Sequence, residues 1–322
     1  MEVYACYNKN DEIRRKSSSG GVFALLAEEI LNSKGAVFAV CYDENYETVH
    51  KKITSLDMLS EGLGTKYIQS RLRGTFEEVR CCLMEEQKVL FVGTPCQCAG
   101  LKAFLGNEYE NLYLVDLICH GVPSRMAWRK YLEELEIESI ESINMRDKTT
   151  GWSEYNYSWK IKYRDKGETI VLQSQVPFMK GFVKDYYLRP SCYECCFKGI
   201  ERDSDITLGD YWGVWKIQPS MDDNKGTSVV MIHTDKGKRL LEHIKDSLKI
   251  SKADIEMVIK YNPSVLESAL KTEKRQEFFG KIKMNDTFEH IVRDLEKTSK
   301  DNITINMIFS KLKNICKRFR IL

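Results

Sequence analysis

Cysteine spacing in this chain is typical of a metal or redox centre. The chain has 11 cysteines in 322 residues, and eight of them fall between positions 81 and 196. Cys192 and Cys195 form a Cys-x-x-Cys pair, a spacing that lets two thiolates of one loop face the same ion, as zinc sites and iron-sulfur clusters both require. The sequence has no second such pair and no pair of histidines at the distance that a zinc ribbon needs. Two further ligands must therefore come from other segments.

Cys96 and Cys119 are the best available partners for that pair. Each follows a short apolar segment that predicts a buried strand, in GTPCQC and CHGVPS. Loops at the carboxyl ends of strands in α/β sheets commonly bind ligands, and a helix N-terminus stabilises the thiolate form of a cysteine. We therefore predict a four-cysteine site built from three loops. The sequence alone does not show whether the two strands are neighbours.

A second motif, SSSGG at 17–21, precedes a predicted helix. Hydroxyls and glycines at a helix N-terminus present free backbone N–H groups and the positive end of the helix dipole, which suits a phosphate or another anionic group. The alternative is a simple N-cap with flexible glycines, and no Gly-Lys-Ser/Thr follows to make a P-loop. Beside Cys119, His120 could donate a proton or serve a structural role.

The remaining cysteines divide into two groups. Cys98 and Cys196 adjoin proposed ligands and are either alternate ligands or bystanders. Five others occur in apolar or helical stretches and are predicted to be buried packing residues: Cys6, Cys41, Cys81, Cys82 and Cys316.

Composition excludes several functional classes. With 43% apolar residues the chain is not disordered, and 49 basic against 47 acidic residues leave a net charge of +2, so no overall field favours nucleic acid. The N-terminus lacks the apolar segment of a secretory signal, and no apolar run approaches the ~18 residues that span a bilayer. We expect a cytoplasmic protein, in which clustered thiols more often serve metal binding or redox chemistry than disulfides.

The elements that must position these residues alternate between helix and strand. Helices are predicted over 22–32, 75–86, from Thr94-Pro95 through 105, and from Pro123-Ser124 to about 135, with buried strands between them. Residues 139–175 are strand-rich, with a hairpin turn at 165–167. A helical stretch at 177–187 follows, SDITLGDYWG and TSVVMIHT are predicted strands, and residues 235–322 are mostly helical. The pattern predicts an α/β fold: a mixed, partly parallel sheet flanked by helices, with a strand-rich insertion and a helical C-terminal region.

Seven ordered blocks resemble one known family, the beta subunits of coenzyme F420 hydrogenases and dehydrogenases. They span about residues 16–265 and read KSSSGGVF, GTKYIQS, FVGTPCQCAGL, VDLICHGVPS, MRDKTTGW, LRPSCYECCFKGIERDSDITLGDYWG and DDNKGTSVVMIHTDKG. The resemblance implies an iron-sulfur flavoprotein with FAD and one 4Fe-4S cluster. Three parts are expected: 1–95 as the flavin-binding part of the family core, 96–265 as the core with the cysteine site, and 266–322 as a helical tail.

The resemblance also implies roles for individual residues. The cluster ligands would be the same four cysteines that spacing selects, Cys96, Cys119, Cys192 and Cys195. His120 and Asp210 are candidates for tuning or protonating the substrate. The flavin site would draw on SSGG and GTKYIQS, with Lys66 beside the flavin's anionic edge or pyrophosphate, and on the start of the helix at 94. Its predicted residues are Ser18, Ser19, Gly20, Gly21, Lys66, Tyr67, Gln69, Ser70, Thr94 and Pro95.

The implied function is a flavin and iron-sulfur oxidoreductase. It would pass electrons between an external one-electron partner, such as a ferredoxin-like protein, and a hydride acceptor or donor. That small molecule would be a deazaflavin (coenzyme F420) or another small or glycan-related substrate. Only Cys6 precedes the SSSGG block, so we expect no ferredoxin-like segment and at most one cluster. The alternative is a non-catalytic adaptor with a structural zinc or iron-sulfur site.

The last 20 residues suggest a further contact. Ile305, Ile308, Leu312, Ile315 and Phe319 recur at helical spacing among lysines and arginines. A basic amphipathic helix of this kind lies on an anionic membrane surface, or docks on its own domain or on a partner. Peripheral membrane contact through 303–322 is therefore one interpretation.

Overall fold

A computed structural model describes residues 1–284 and 286–297. Its main element is one eight-stranded sheet with strand order β11-β1-β10-β9-β5-β4-β2-β3, and a second sheet has the order β6-β7-β8. The strands are β1 Glu2–Asn8, β2 Ala36–Tyr42, β3 Thr48–Ile53, β4 Val89–Gly93, β5 Leu112–Leu117, β6 Ile140–Asp147, β7 Ser158–Tyr163, β8 Gly167–Leu172, β9 Ile206–Asp210, β10 Ser228–Ile232 and β11 Leu248–Lys252.

Helices cover both faces of the large sheet. They are α1 Asp11–Lys16, α2 Val22–Asn32, α3 Leu56–Gly62, α4 Thr75–Met84, α5 Pro95–Leu105, α6 Arg125–Leu132, α7 Pro177–Val183, α8 Val214–Ile217, α9 Asp235–Ile244, α10 Ile255–Tyr261 and α11 Lys274–Lys283. Residues 288–297 are also helical. Side chains alternate between the faces, so Val37 packs with α2 while Phe38 packs with α4 and α5.

The centre of the large sheet is parallel. Strands β2, β4, β5 and β9 pair in parallel, whereas β3, β10, β1 and β11 join at the two sides as antiparallel strands. All five residues of β4 are buried, as expected for a strand covered on both faces. The mixed α/β architecture predicted from the sequence is confirmed.

The strand-rich insertion forms the second sheet. Strands β6, β7 and β8 pair antiparallel, and the turn at Gly167 closes the predicted hairpin with a φ of +79°. This sheet shares an aromatic core with α6, α7 and the helix at 288–297, in which Trp128, Trp159 and Phe178 pack edge to face or tilted. The insertion is therefore anchored by its own hydrophobic cluster.

Three strands were not predicted, namely β1, β3 and β11. The outer strands β3 and β11 carry the lysine-rich sequences TVHKKI and LKISK, because edge strands expose one side to solvent and lack a continuous apolar run. The mostly helical region after 235 therefore also contains β11. The proposed division at 95 and 265 stays a prediction.

Of the five cysteines predicted to be buried packing residues, three are buried, one is exposed and one is not described. Cys6, Cys41 and Cys82 are buried, but Cys81 is exposed on α4, so its assignment as a buried residue is wrong: it lies on the outward face of an amphipathic helix. Cys316 and the amphipathic segment 303–322 lie outside the described residues. Within residues 1–284 and 286–297, no helix is both long and apolar enough to cross a bilayer.

Candidate iron-sulfur and flavin site

The strands that precede Cys96 and Cys119 are direct neighbours. β4 and β5 pair in parallel from Val89 opposite Leu112 to Gly93 opposite Asp116, so their carboxyl ends lie at the same edge of the sheet. Thr94 and Pro95 are the N-cap and first residue of α5, which places Cys96 in the first turn of the helix. The neighbour relation that the sequence left open therefore brings two of the predicted ligands to one edge.

Cys192 and Cys195 reach the same edge from a distant loop. The backbone N–H of Val122 points at the Cys192 sulfur at 3.4 Å, and the N–H of Cys195 donates to Ser268 Oγ at 3.1 Å. Gly121 makes this approach feasible, because a Cβ there would stand 3.3 Å from the Cys192 Cβ. The loop of the Cys-x-x-Cys pair thus packs directly on the loop that follows β5.

The four thiols lie within electrostatic reach of one another. Burial raises the pKa of Cys119 to about 12; the Lys198 ammonium opposes this shift, while the other three predicted ligands reinforce it. Burial likewise raises the pKa of Cys192, with added contributions from Cys96 and Cys195. The four predicted ligands therefore lie in the same region of the structure, close enough for their charges to interact. Binding a metal centre would displace the protons that burial holds on Cys119 and Cys192.

The gathered thiols do not have the geometry of a single-ion site. Within the described part of the chain, no three side chains of His, Cys, Asp or Glu approach closely enough to hold one metal ion. A tetrahedral zinc site needs four sulfurs about 2.3 Å from the same centre. A 4Fe-4S cluster attaches each thiolate to a different iron atom, so its ligands stand further apart than those of one zinc ion.

Lys198 is a functional candidate that the sequence analysis missed. Its ammonium donates to the carbonyl of Cys119 and, at 2.8 Å, to that of Ser264. Burial lowers its pKa, whereas the thiols of Cys119, Cys195 and Cys192 raise it. In the sequence, its position three residues after the Cys-x-x-Cys pair could have indicated this role. It supplies a positive charge beside a group of thiolates that would be strongly negative.

His120 is held in place by an acid that the sequence analysis also missed. Its Nε2 lies 2.6 Å from Asp185 Oδ1, and the other carboxylate oxygen of Asp185 accepts the backbone N–H of Leu270 at 3.0 Å. The ring of Phe182 contacts both the His120 ring, at 5.2 Å between centroids, and the Tyr67 ring, at 5.0 Å. His120 therefore lies between the cysteine group and a residue predicted to bind flavin.

The SSSGG loop packs tightly against the same edge of the large sheet. A Cβ on Gly20 would lie 2.3 Å from the Cys6 carbonyl oxygen, so only glycine fits. Gly21 adopts a φ of +80° as the N-cap of α2, whose first turn has no acidic residue. Ser19 donates to the Thr227 carbonyl at 2.9 Å, and Ser18 accepts a hydrogen bond from Thr65 at 2.7 Å. A glycine-rich turn thus leads into α2, and the free backbone N–H groups of a helix N-terminus suit an anion.

Two basic side chains of the insertion, Arg146 and Lys148, hold this loop. Lys148 donates to the carbonyls of Arg14, Ser19 and Lys225 at 2.5 to 2.8 Å, and burial lowers its pKa to about 7. Arg146 donates to the Ser18 carbonyl at 3.3 Å. In the sequence, Arg146 and Lys148 both belong to the block MRDKTTGW, which could have indicated a role for them. The small sheet therefore serves to bring cations to the SSSGG loop.

Arg146 also fixes Asp210 and Tyr67. Its terminal nitrogens lie 3.1 and 3.2 Å from the two Asp210 oxygens and 3.2 Å from the Tyr67 hydroxyl. The Nε of Arg146 is buried and has no hydrogen-bond partner among the described residues. The structure thus brings Ser18, Tyr67 and Asp210 together around one guanidinium, with a donor left over for a bound group.

The other predicted flavin residues are placed differently. Lys66 donates to the carbonyls of Glu61 and Leu63 at the end of α3, and burial lowers its pKa to about 8. Its ammonium therefore caps a helix in this structure. Gln69 is partly buried, and Pro95 is buried at the start of α5. Ser70 and Thr94 belong to a hydrogen-bond network that reaches Cys96.

The two ambiguous cysteines have contrasting environments. Cys98 is fully buried among the apolar residues of α5 and its sulfur faces the Val115 carbonyl at 3.6 Å, which fits a packing role. Cys196 is exposed beside Cys195. Cys96 is exposed as well, so one side of the cysteine group faces solvent.

Comparisons with known proteins identify the family of the chain. A family model for the N-terminal part of the coenzyme F420 hydrogenase/dehydrogenase beta subunit matches residues 3–75, and a second model, for the C-terminal part, matches residues 86–257. A chain in the F420-reducing NiFe hydrogenase complex from Methanosarcina barkeri has a similar fold, with a TM-score of 0.55 and 15% identity over 89% of this chain and 93% of that one. Among curated proteins none matches. Because the second family model alone spans more than half of the sequence, the chain belongs to the coenzyme F420 hydrogenase/dehydrogenase beta subunit family, a family of oxidoreductases.

Proposed function

We propose that this protein is an FAD and 4Fe-4S dependent oxidoreductase. It passes electrons between an external one-electron partner and a small molecule that accepts or donates a hydride. The observation that carries the proposal is that four cysteines from three loops lie near one sheet edge, in the same protein as a glycine-rich helix N-terminus with Arg146 and Lys148 beside it. An electron carrier and an anionic cofactor are the groups that these two features suit.

The cysteine group suits the cluster by its donor set. Cys96, Cys119, Cys192 and Cys195 would hold it, with Lys198 offsetting part of its negative charge. The bound cluster supplies one-electron transfer. Because Cys96 is exposed and Cys195 partly so, a redox protein can approach this side of the site closely. This exposure supports a ferredoxin-like partner.

The flavin part of the proposal depends on the SSSGG loop. The amino end of α2 and the Arg146 guanidinium suit the negative pyrophosphate of FAD, and the unpaired Nε of Arg146 offers a donor to it. Tyr67 and Ser18 line the same region. The bound flavin exchanges single electrons and hydride, which lets it connect the two substrates.

His120 and Asp210 have separate tasks in this proposal. His120, oriented by Asp185, would hold or deliver a proton at its Nδ1 near the substrate. Asp210 binds Arg146 through both oxygens and so orients the guanidinium. We propose deazaflavin as the first small-molecule substrate to test, since that is the cofactor that the matching hydrogenase complex reduces.

The test is anaerobic purification followed by absorption spectroscopy and analysis of iron, flavin and zinc. We expect flavin bands, a broad shoulder that dithionite bleaches, and four irons per chain. Cys192→Ser should lose the cluster and keep part of the flavin, whereas Cys81→Ser, on the outer face of α4, should keep both. Full cluster content in Cys192→Ser contradicts the ligand assignment. Colourless protein with one zinc per chain supports the adaptor alternative.

A further inference from the structure

A continuous chain of hydrogen bonds connects the buried His50 to the Cys96 sulfur. His50 lies on β3, far from Cys96 in the sequence, and is only 8% exposed. Between them are the side chains of Ser70, Gln97 and Thr94, each within hydrogen-bond distance of the next. None of these side chains belongs to the proposed ligand set. The chain therefore forms a second layer behind one cluster ligand.

The directions of the two hydrogen bonds of the His50 ring follow from the carbonyl that it contacts. His50 Nε2 lies 3.1 Å from the carbonyl oxygen of Val92, which only accepts, so Nε2 carries the proton. His50 Nδ1 is then an acceptor and receives the hydroxyl of Ser70 at 3.0 Å. The His50 ring stacks on Phe91 at 5.1 Å between centroids, which fixes its plane. The orientation of the Ser70 hydroxyl is thus determined.

The same reasoning orients the Gln97 amide. Because the Ser70 hydroxyl is committed to His50, its oxygen accepts the Gln97 NH₂ at 2.9 Å. The Gln97 Oε1 must then point to Thr94, where it accepts the backbone N–H at 3.0 Å and the hydroxyl at 3.1 Å. This is also the capping box at the start of α5. The network therefore fixes which way the amide faces.

The Thr94 hydroxyl has two possible acceptors, the Cys96 sulfur and Gln97 Oε1. Its oxygen lies 3.1 Å from the Cys96 sulfur, and either atom can be the donor. A Cys96 thiol donates to the Thr94 oxygen, and the Thr94 hydroxyl then donates to Gln97 Oε1. A thiolate, the form that ligates metal, accepts the hydroxyl instead. Gln97 Oε1 keeps the Thr94 N–H, so this rotation leaves no acceptor unpaired.

We propose that Thr94 is a positioning residue that donates a hydrogen bond to the ligated Cys96 sulfur, and that Gln97, Ser70 and His50 hold it ready to do so. This inference rests on the proposed function, because it assumes a cluster at Cys96. A donor to a ligand sulfur stabilises the more negative, reduced cluster more than the oxidised one. Thr94 thereby raises the reduction potential of the cluster.

The test compares Thr94→Val, which keeps the shape of the side chain, with Thr94→Ser, which keeps the hydroxyl. Redox titration followed by electron paramagnetic resonance should show a lower midpoint potential in Thr94→Val, by about a tenfold shift in the one-electron equilibrium or ~59 mV. Thr94→Ser should return it to the wild-type value. Thr234→Val is the matched control, since Thr234 caps α9 and bonds Gly237 and Asp205. Its potential should not change.

Ser70→Ala gives a second measurement that does not alter the capping residue. It frees the Gln97 amide to turn and should also lower the potential, by less than Thr94→Val does. Equal potentials in the wild type, Thr94→Val and Ser70→Ala, all at full iron content, overturn the inference and leave the proposed function intact. A wild-type protein that binds no iron-sulfur cluster overturns the proposed function and this inference with it.

Discussion

The carboxylate of Asp210 and the guanidinium of Arg146 form a two-point ion pair between the two sheets. Asp210 ends β9 of the large sheet, Arg146 lies on β6 of the small one, and the paired atoms are 3.1 and 3.2 Å apart. Arg146 is almost completely buried and its ring neighbours Tyr157 and Trp212 lie 4.1 and 4.9 Å from the guanidinium carbon. This charge pair thus adds a polar contact between the insertion and the large sheet beside the proposed flavin site.

Removing this carboxylate should destabilise the protein. Asp210→Ala leaves a buried guanidinium without its counter-charge, which costs about 3 kcal/mol of unfolding free energy. Urea unfolding of the cofactor-free protein measures the loss. Glu12→Ala removes an acid from an exposed pair with Lys16 and is the control that should unfold like the wild type. Equal stabilities of Asp210→Ala and the wild type would show that the pair is not structurally important.

Two adjacent cysteines should differ sharply in cluster binding. Cys195 is partly buried and its backbone is bonded to Ser268, while Cys196 is exposed beside it. We expect Cys195→Ser to lose most of the iron and Cys196→Ser to keep it, measured by iron and sulfide analysis after anaerobic purification. The reverse pattern would make Cys196 the ligand and move the cluster toward the surface.

His120 should be required for hydride transfer without being required for cofactor binding. We expect His120→Gln to lower turnover by roughly 10²- to 10⁴-fold, the usual contribution of a general acid or base. Asp185→Asn should cause a smaller loss, because asparagine tolerates the positive φ of 61° at that position but binds the ring more weakly. Acceptor reduction with dithionite as electron source measures both. Loss of flavin or iron in either variant would indicate a structural role.

Burial of His50 predicts a specific pH dependence of stability. Burial lowers the pKa of His50 to about 4, from about 6.5 in the unfolded chain. Between these values the unfolded state binds more protons, so the unfolding free energy falls as the pH drops from about 6.5 toward 4. This one residue should contribute ~2 kcal/mol of the decrease between pH 7.5 and pH 5.

His50→Gln should remove that part of the pH dependence, although it also alters the absolute stability through the Ser70 contact. The measurement is urea unfolding at both pH values, and the quantity compared is the change between them. Ser33→Ala, at an exposed position after α2 that carries no titratable group, should retain the wild-type change. A His50→Gln protein with the wild-type pH dependence contradicts the assignment of a neutral, buried imidazole.

Local rules were sufficient for much of the fold. The bounds of α2 and of α5 follow from apolar periodicity and from Thr94-Pro95, and both agree with the structure. The buried strands β4 and β5 could be read from continuous apolar runs. Edge strands such as β11 could not, because half of their surface meets solvent and their sequence is polar.

The sequence by itself determined which residue types were available for chemistry: four cysteines in ligand-like positions, a glycine-rich loop before a helix, and the blocks that mark the family. Only the tertiary structure decided which of them meet. The parallel pairing of β4 with β5 brings Cys96 and Cys119 together, and the contacts of Lys198, Arg146 and Gln97 join segments far apart in the chain. Such contacts depend on strand order and on side-chain packing across the sheet edge, and neither leaves a periodic signal in the sequence.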